Sequence, residues 1–557
     1  MGLAETEGAR MRVVIVGGVA AGMSAATRLR RLDESAEIVV LEAGDEVSFA
    51  NCGLPYHVGG VIEERSALLR DADGLARRFR LDIRLRHAVT ALDREAKRVH
   101  ARTPDGEDLE LAYDRLVLAE GAAPAVLPSD GSIPVHALRT VGDMDGVVAA
   151  IEHGARTAVV AGGGYIGVEA AENLVRRGLK VVLAVQGDQV LHRTLDPEMA
   201  APVHEELRGN GMELRFGAAV TGVADGAALL ADGERLPADL VVDATGVAPR
   251  ADLAARAGLA IGPTGGVAVD ALHRTSDPAV LAAGDAAEKR DAVDGEPALV
   301  ALAGLANRHG RAVADVIAGT PEEAAPALGT AIVGVFGLAV GTLGWTERRL
   351  RDAGRPHRVL HTHPAQHAGY YPGATTLSIK LLVDAADDRV LGAQIVGRDG
   401  VDKRIDVLAT AIAGGIPASA LSRLELAYAP QFGSAKDPVN LVGYVAGNLA
   451  DGTAKAVQWH ELPGLLQDGW TLVDVRSPAE FAAGAIPGAV NLPLDELRER
   501  HGELPDGPIA LHCQVGQRGF TAARLLSQLG HDVANLDGGY RTWRDGQATR
   551  RHETEPD

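Results

Sequence analysis

Cysteine is nearly absent: only Cys52 and Cys513 occur among 557 residues. So sparse a supply excludes a secreted scaffold held together by disulfides. Aromatic residues make up 3% of the chain, which disfavours an aromatic-rich sandwich. Positive charge is outweighed, with 55 Lys and Arg against 75 Asp and Glu, a net charge of -20. That surface repels nucleic acid and anionic lipid, so neither is expected as a partner, although a local basic patch still suits a small anionic ligand. No apolar run reaches the roughly 18 residues that a membrane-spanning helix needs. The opening MGLAETEGAR lacks the basic start and apolar stretch of a secretory signal and reads as an extension before the first strand. Its Met-Gly start is a weak match to a myristoylation site. A cytoplasmic location is the resulting expectation, and no metal is called for.

What is abundant is glycine, at 67 residues, which favours α/β folds with many tight strand-to-helix turns. At roughly 100–200 residues per domain, three or four domains are expected. The run Arg12 to Val16 is followed by Gly17-Gly18-Val19-Ala20-Ala21-Gly22, an amphipathic stretch to Leu32, and a second apolar run ending at Glu42. This is the strand, glycine turn, helix, strand, acid order of a dinucleotide-binding unit. The first glycine permits the turn, the last lets helix and strand approach, and the pyrophosphate rests on the helix N-terminus. Glu42 is placed to accept from a ribose hydroxyl. Gly17, Gly18, Ala20, Gly22 and Glu42 are therefore candidate cofactor contacts.

The pattern recurs. Ala158 to Ala161 is a strand, Gly162-Gly163-Gly164-Tyr165-Ile166-Gly167 completes the fingerprint, and a helix (168–177) and strand (180–185) follow. Gly162, Gly164 and Gly167 are assigned to the second nucleotide. Two such units in one chain imply FAD together with NAD(P)H as hydride source. Leu281 to Asp285 is a strand ending in Gly-Asp, and Asp285 is expected on the ribityl chain of FAD. Asp243-Ala244-Thr245-Gly246 marks the return from an inserted NAD(P)H domain. The second unit ends in Val185-Gln186, neither acid nor base, so NADH is not distinguished from NADPH. A third region, with strands at 377–383 and 390–396 and a helix at 401–413, leads to a Gly/Asp/Asn-rich linker and a new α/β unit near Val457.

The segment Ser48-Phe49-Ala50-Asn51-Cys52-Gly53-Leu54-Pro55-Tyr56 resembles the active-site segment of coenzyme A disulfide reductases, within the pyridine nucleotide-disulfide oxidoreductase family. The resemblance covers residues 11–445. Cys52 has no partner cysteine four or five residues away, so it must cycle through a mixed disulfide, a persulfide or a sulfenic acid. A helix starting near Cys52 is expected to favour its thiolate. Related NADH peroxidases and oxidases carry a His in the first glycine turn; Ala20 stands there, which favours thiol exchange. The resemblance implies CoA contacts at Ser24, Arg28, Arg31, Ser48, Asn51 and Lys436, and Arg and Lys suit its phosphates. It also implies a homodimer in which Tyr370 and Tyr428 reach the partner's cysteine as proton donors, with Tyr371 a competitor for the role of Tyr370. Glu120 stands where relatives often carry Thr or Pro.

Finally, Leu472 to Arg476, Ser477-Pro478-Ala479-Glu480, Gly484 to Asn491 and His512-Cys513-Gln514-Val515-Gly516-Gln517-Arg518 resemble, in this order, a rhodanese domain. A tight strand-to-helix loop makes a nest of backbone N–H groups for an anion. Cys513 is its candidate sulfur carrier and Arg518 closes it. Four residues between Cys and Arg is the sulfurtransferase length; phosphatases of this fold have one more. The expected architecture is α/β: two Rossmann-like nucleotide-binding domains, an α+β dimerisation domain and an α/β rhodanese domain. Boundaries are set at 11–120 with 245–325 for FAD, 121–244 for NAD(P)H, 326–446 for dimerisation, 447–456 for a linker and 457–550 for rhodanese. The expected activity is NAD(P)H-dependent reduction of CoA disulfide, CoA persulfide or polysulfide, with CoA as ligand or substrate. The alternatives are an NADH oxidase or peroxidase, a non-catalytic sulfur or redox sensor, and a sulfurtransferase carrying a merely structural flavoprotein.

Overall fold

The computed structural model of the protein describes residues 10–554; the readings made on Met1 and Gly2 lie outside the described residues. The chain divides into two compact units, one built from the residues up to Gly162 with Asn173–Val181 and Val220–Gly329, the other from Gly163–Glu172, Val182–Ala219 and Thr330 onward.

In the first unit a five-stranded sheet runs in the order Val280–Ala282, Arg115–Leu118, Arg12–Val16, Glu37–Leu41, Asp82–Arg84. Its pairings are parallel, with Arg12 opposite Glu37 and Val13 opposite Arg115. Alternate residues serve opposite faces. Val13, Ile15, Ile38, Val40 and Val117 pack with Ala25 and Leu29 of the helix Ala20–Leu32 and with Val313 of the helix Ala303–Ile317. Val14, Val16, Val39, Leu41 and Leu116 pack on the other side with Val99 and Ala101. Both faces are covered, which is why these strands read as unbroken apolar runs instead of alternating ones. The same unit holds a second parallel set in which Leu240–Asp243 lies between Thr157–Ala161 and Val135–His136.

The second unit carries three pieces. Val182–Val185 pairs in parallel with Glu213–Phe216. An antiparallel sheet in the order Ala331–Val335, Leu338–Gly344, Val390–Gly397, Ser378–Asp384, His357–Thr362 is backed by the helix Val401–Ala413. Last comes a parallel sheet in the order Ala456–Val457, Val533–Leu536, Ile509–His512, Thr471–Asp474, Val490–Asn491.

The linker set at 447–456 is shorter than the composition suggests. The helix Pro438–Ala450 runs through Gly447 and Asn448, and strand pairing resumes at Ala456. Buried Val439, Val442, Gly443 and Ala446 hold that helix, so tertiary packing overrides the poor propensity of Gly447.

Candidate active site

Both glycine turns meet the same physical demand. Gly17 has φ +101°, and a Cβ there would lie 2.3 Å from the Ala119 carbonyl oxygen. Gly162 has φ +108°, and its Cβ would lie 2.3 Å from the carbonyl oxygen of Ala244. A Cβ on Gly18 would meet Val47 Cγ1 at 2.8 Å, and one on Gly163 would meet Val185 Cγ2 at 2.8 Å. At Gly22 it would stand 1.8 Å from the Gly17 oxygen, so only glycine lets the helix approach the turn. Gly164 faces open space, as backbone meant to approach a pyrophosphate must. Gly167 is buried in the first turn of the helix Tyr165–Arg176, and Ala20 opens the helix Ala20–Leu32.

The Glu42 carboxylate accepts from Gly18 N at 2.6 Å and Gly44 N at 2.7 Å, which fixes it at the strand end. Asp285 is part-buried in the turn Gly284–Ala286 and accepts from Arg139 Nη2 at 2.8 Å. These residues suit a flavin dinucleotide: a glycine cradle that any Cβ would fill, an acid at the ribose position, and an acid in the turn assigned to the ribityl chain. Arg139 was not legible in the sequence. It reaches Asp285 across 146 residues, and its carbonyl accepts from Asn51 Nδ2 at 2.8 Å, beside Cys52.

Cys52 is exposed. It lies in the one-turn 3-10 segment Asn51–Gly53, ahead of a helix, Leu54–Val58, of only five residues. The expected helix start is therefore a single tight turn. The backbone around Cys52 is held firmly. Ser48 takes φ +50° and its N–H donates to Gly18 O at 2.8 Å, while Ala50 N donates to Leu68 O and Gly53 N to Ala50 O, each at 2.8 Å. Ser48 thus ties the cysteine segment to the first glycine turn.

The helix Ala20–Leu32 brings Ser24, Arg28 and Arg31 onto one element, with different surroundings. Ser24 Oγ donates to Asn307 Oδ1 at 2.6 Å. Arg28 is ion-paired with Asp315, Nε and Nη2 each 2.8 Å from Oδ1, so it serves packing between two helices as well as any ligand. Arg31 is exposed, whereas Arg30 is buried and donates to five backbone carbonyls. Lys436 is exposed in the other unit.

Tyr370 and Tyr428 come together, their hydroxyls 3.1 Å apart, both exposed. Tyr371 instead packs edge-on against the His367 ring at 5.6 Å. The hydrogen bond from Tyr370 raises the Tyr428 pKa. Glu120 follows the strand Arg115–Leu118, and its Oε2 is buried without a hydrogen-bond partner. Burial pushes its carboxyl up to about 7 against the pull of Arg250 and Arg256.

In the third piece, Cys513 ends the strand Ile509–His512 fully buried, and the helix Gln517–Gln528 begins four residues on. The loop wraps around Gly538 and Gly539, both at positive φ. A Cβ on Gly539 would meet Cys513 O at 2.5 Å and Gly516 N at 2.8 Å. Arg518, in the first turn of the helix after the loop, forks onto a carboxylate: Nη1 donates to Glu480 Oε2 at 2.8 Å and Nη2 to Oε1 at 2.6 Å. Glu480 is visible in the sequence only as the fourth residue of Ser-Pro-Ala-Glu, a capping box that the structure forms with Ser477.

The chain matches the pyridine nucleotide-disulphide oxidoreductase family over residues 11–307, that family's dimerisation domain over 330–438, and the rhodanese-like domain over 458–545. It is 31% identical over 442 residues to the coenzyme A disulfide reductase of Staphylococcus haemolyticus, covering 79% of this chain and 100% of that one. Among solved structures it is similar to reduced CoADR-RHD of Bacillus anthracis, with a TM-score of 0.95 and 43% identity over 98% of this chain and 99% of that one. It is also similar to an NAD-dependent persulfide reductase from A. fulgidus, with a TM-score of 0.89 and 37% identity over 96% and 100% of the two chains. With two glycine turns built to one plan, a lone cysteine tied to the first and a family match over more than half its length, the chain belongs to the pyridine nucleotide-disulphide oxidoreductases, flavin enzymes that use FAD and NAD(P)H, here continued into a rhodanese-like domain.

Proposed function

We propose that this enzyme reduces the sulfur–sulfur bond of CoA disulfide, CoA persulfide or a polysulfide through Cys52, and that Cys513 carries sulfane sulfur. The observation that carries this reading is Cys52 itself. It is exposed, rigidly mounted next to the first glycine turn, and the single cysteine of the reductase portion. With no second cysteine in that portion of the sequence, the substrate supplies the other sulfur of the working disulfide. The coenzyme A disulfide reductase and persulfide reductase relatives support that chemistry.

The Cys52 thiolate attacks one sulfur of the substrate. A Cys52–sulfur bond forms, the substrate S–S bond breaks, and the far sulfur leaves as a thiolate: CoA thiolate from CoA disulfide or CoA persulfide, a shortened polysulfide anion from polysulfide. Bound FAD would supply the electron pair, drawn from NAD(P)H, that reopens the Cys52 disulfide. Ser24, Arg28, Arg31, Ser48, Asn51 and Lys436 are assigned to CoA, the exposed cations Arg31 and Lys436 to its phosphates. In a homodimer, the paired Tyr370 and Tyr428 hydroxyls of one protomer donate a proton to the thiolate leaving its partner's Cys52. The exposed pair Tyr370 and Tyr428, 78% and 48% accessible, offers the surface such an arrangement needs.

The test is anaerobic NADH and NADPH oxidation with CoA persulfide, CoA disulfide and polysulfide supplied separately. Turnover in the wild type that disappears in Cys52→Ser supports the proposal. Full CoA-dependent turnover in Cys52→Ser, or hydrogen peroxide as the preferred acceptor, overturns it.

A further inference from the structure

Two arginine side chains stand at the Cys513 loop, those of Arg518 and Arg476, and each is bound by a carboxylate, while Arg541 meets the loop through its backbone N–H on Gln514 O at 3.0 Å. Arg518 forks onto Glu480, and that contact, ahead of the backbone and hydroxyl of Ser477, holds the Glu480 carboxyl down at about 2. The pair is therefore ionised at any working pH. Arg476 is buried and binds Asp474 through Nε at 3.0 Å and Nη2 at 2.6 Å, with Nη1 donating to Gln514 Oε1 of the loop at 3.1 Å. Its guanidinium also lies over the Tyr540 ring, 4.4 Å from the centroid. His512, next to Cys513, is fully buried and its pKa is lowered by that burial, so it adds no charge near neutrality. Two positive side chains and two negative ones cancel. Arg518 also reaches the Cys513 sulfur, so the loop draws an anion through its backbone N–H groups and through one guanidinium whose charge Glu480 offsets.

Cancellation of this kind sets what the loop accepts. Thiosulfate brings two negative charges to a site that already holds a thiolate, and sulfite must depart carrying both. That donor calls for an unpaired cation at the rim. The persulfide of an organic thiol brings at most one charge, and its protonated form brings none.

We infer that Cys513 takes sulfane sulfur from the persulfide of an organic thiol and discriminates against thiosulfate, with Glu480 as the specificity-determining residue. The inference rests on the reading of Cys513 as a sulfur carrier. In the transfer, the Cys513 thiolate attacks the outer sulfur of RSSH. A Cys513–S bond forms, the inner S–S bond breaks, RS⁻ leaves and picks up a proton from water, and the hydrogen stays on the transferred sulfur. The oxidation level of the sulfur pair is conserved, so no external oxidant is needed. Glu480 acts by occupying Arg518, not by touching the donor.

The experiment uses the full-length chain carrying Cys52→Ser, with NAD(P)H omitted, and follows the gain of one sulfur atom on Cys513 by intact-protein mass spectrometry. Donors are glutathione persulfide and thiosulfate. Glu480→Gln removes the charge yet keeps a residue that can complete the capping box with Ser477. Loading of the parent from the persulfide is expected to exceed loading from thiosulfate about a hundredfold, and Glu480→Gln to raise the thiosulfate rate about tenfold while moving the persulfide rate less than about twofold. A donor ratio unchanged in Glu480→Gln overturns the inference and leaves the carrier reading standing. No sulfur on Cys513 from either donor overturns both. The parent protein gives a check that does not depend on the variant folding: sulfate, a dianion of thiosulfate's shape, is expected to slow persulfide loading no more than chloride at equal ionic strength. Competitive inhibition by millimolar sulfate also overturns the inference.

Discussion

His361 gives the sharpest stability prediction. It lies on the strand His357–Thr362, 1% exposed, with Nδ1 2.7 Å from Asp537 Oδ2 and Nε2 3.0 Å from Glu198 Oε1. Burial alone would lower its pKa, but Asp537 and Glu198 outweigh burial and lift it to about 9. The other ionisable groups around this cluster include Lys380, which bridges Asp196, Glu198 and Glu347, His363, kept neutral by burial, and Arg351 and His460 beside Glu347. Taking about 6.5 for the unfolded histidine, the lift of two to three pH units amounts to about 3 kcal/mol. Because the folded value is raised, this stabilisation is complete below about pH 6.5 and is lost as pH climbs through about 9. The substitution His361→Gln keeps hydrogen-bonding capacity but cannot take the proton. All four tryptophans, Trp345, Trp459, Trp470 and Trp543, lie in the second unit, so intrinsic fluorescence follows the unit that contains His361. The wild-type midpoint is expected to fall by about 6–12 °C between pH 6.5 and 9.5 beyond the decline seen in His361→Gln, which starts lower at pH 6.5. Parallel pH profiles for the two proteins would refute the reasoning.

Three further outcomes follow from local geometry. Gly22→Ala places a methyl 1.8 Å from the Gly17 oxygen, so purified protein is expected to carry at most about a tenth of the wild-type flavin absorbance, whereas Gly164→Ala, which faces open space, retains it. Burial pushes the Glu120 carboxyl up to about 7; a raised carboxyl costs stability as pH rises from about 4.5 through 7, so Glu120→Gln is expected to raise the unfolding free energy at pH 8 by about 1–3 kcal/mol and to leave it unchanged at pH 4.5, as denaturant titrations at the two pH values can check. Gly539→Ala drives a methyl against Cys513 O and Gly516 N and is expected to abolish persulfide loading at Cys513 while NAD(P)H oxidation with CoA disulfide persists, as paired mass and absorbance assays can check.

Much of the fold was legible because its main constraints are local. A glycine at φ near +100° jammed against the next strand's carbonyl leaves a fixed mark in sequence, and it does so twice, at Gly17 and Gly162. Buried parallel strands read as apolar runs, and the helix Val401–Ala413 and strand Lys180–Val185 have the limits that the pattern predicts. What escaped was made by distant partners. Arg28 looks like a free phosphate ligand until Asp315 arrives 287 residues later. Arg139 sits in an ordinary loop with no motif, yet joins Asn51 to Asp285. The helix through Gly447 and Asn448 was hidden because glycine and asparagine advertise a turn, whereas the neighbouring apolar face decides the matter. Between Tyr370 and Tyr371 the sequence offers no choice; the structure sets Tyr371 against the His367 ring and Tyr370 beside Tyr428.

The stretch Asp537 to Tyr540 has two jobs within four residues. Asp537 anchors in the buried charge cluster of the antiparallel sheet, and Tyr540 N donates to Cys513 O at 2.8 Å. The C-terminal domain is therefore a poor candidate for cut-and-paste engineering. Excised at Ala456, it would lose the imidazole that Asp537 binds, and the truncated remainder would keep His361 without one of its two carboxylates. A chimera that grafts this sulfur-handling module onto another reductase would have to transplant His361, Glu198 and Lys380 with it, so the true unit of exchange is larger than the domain that a sequence match outlines.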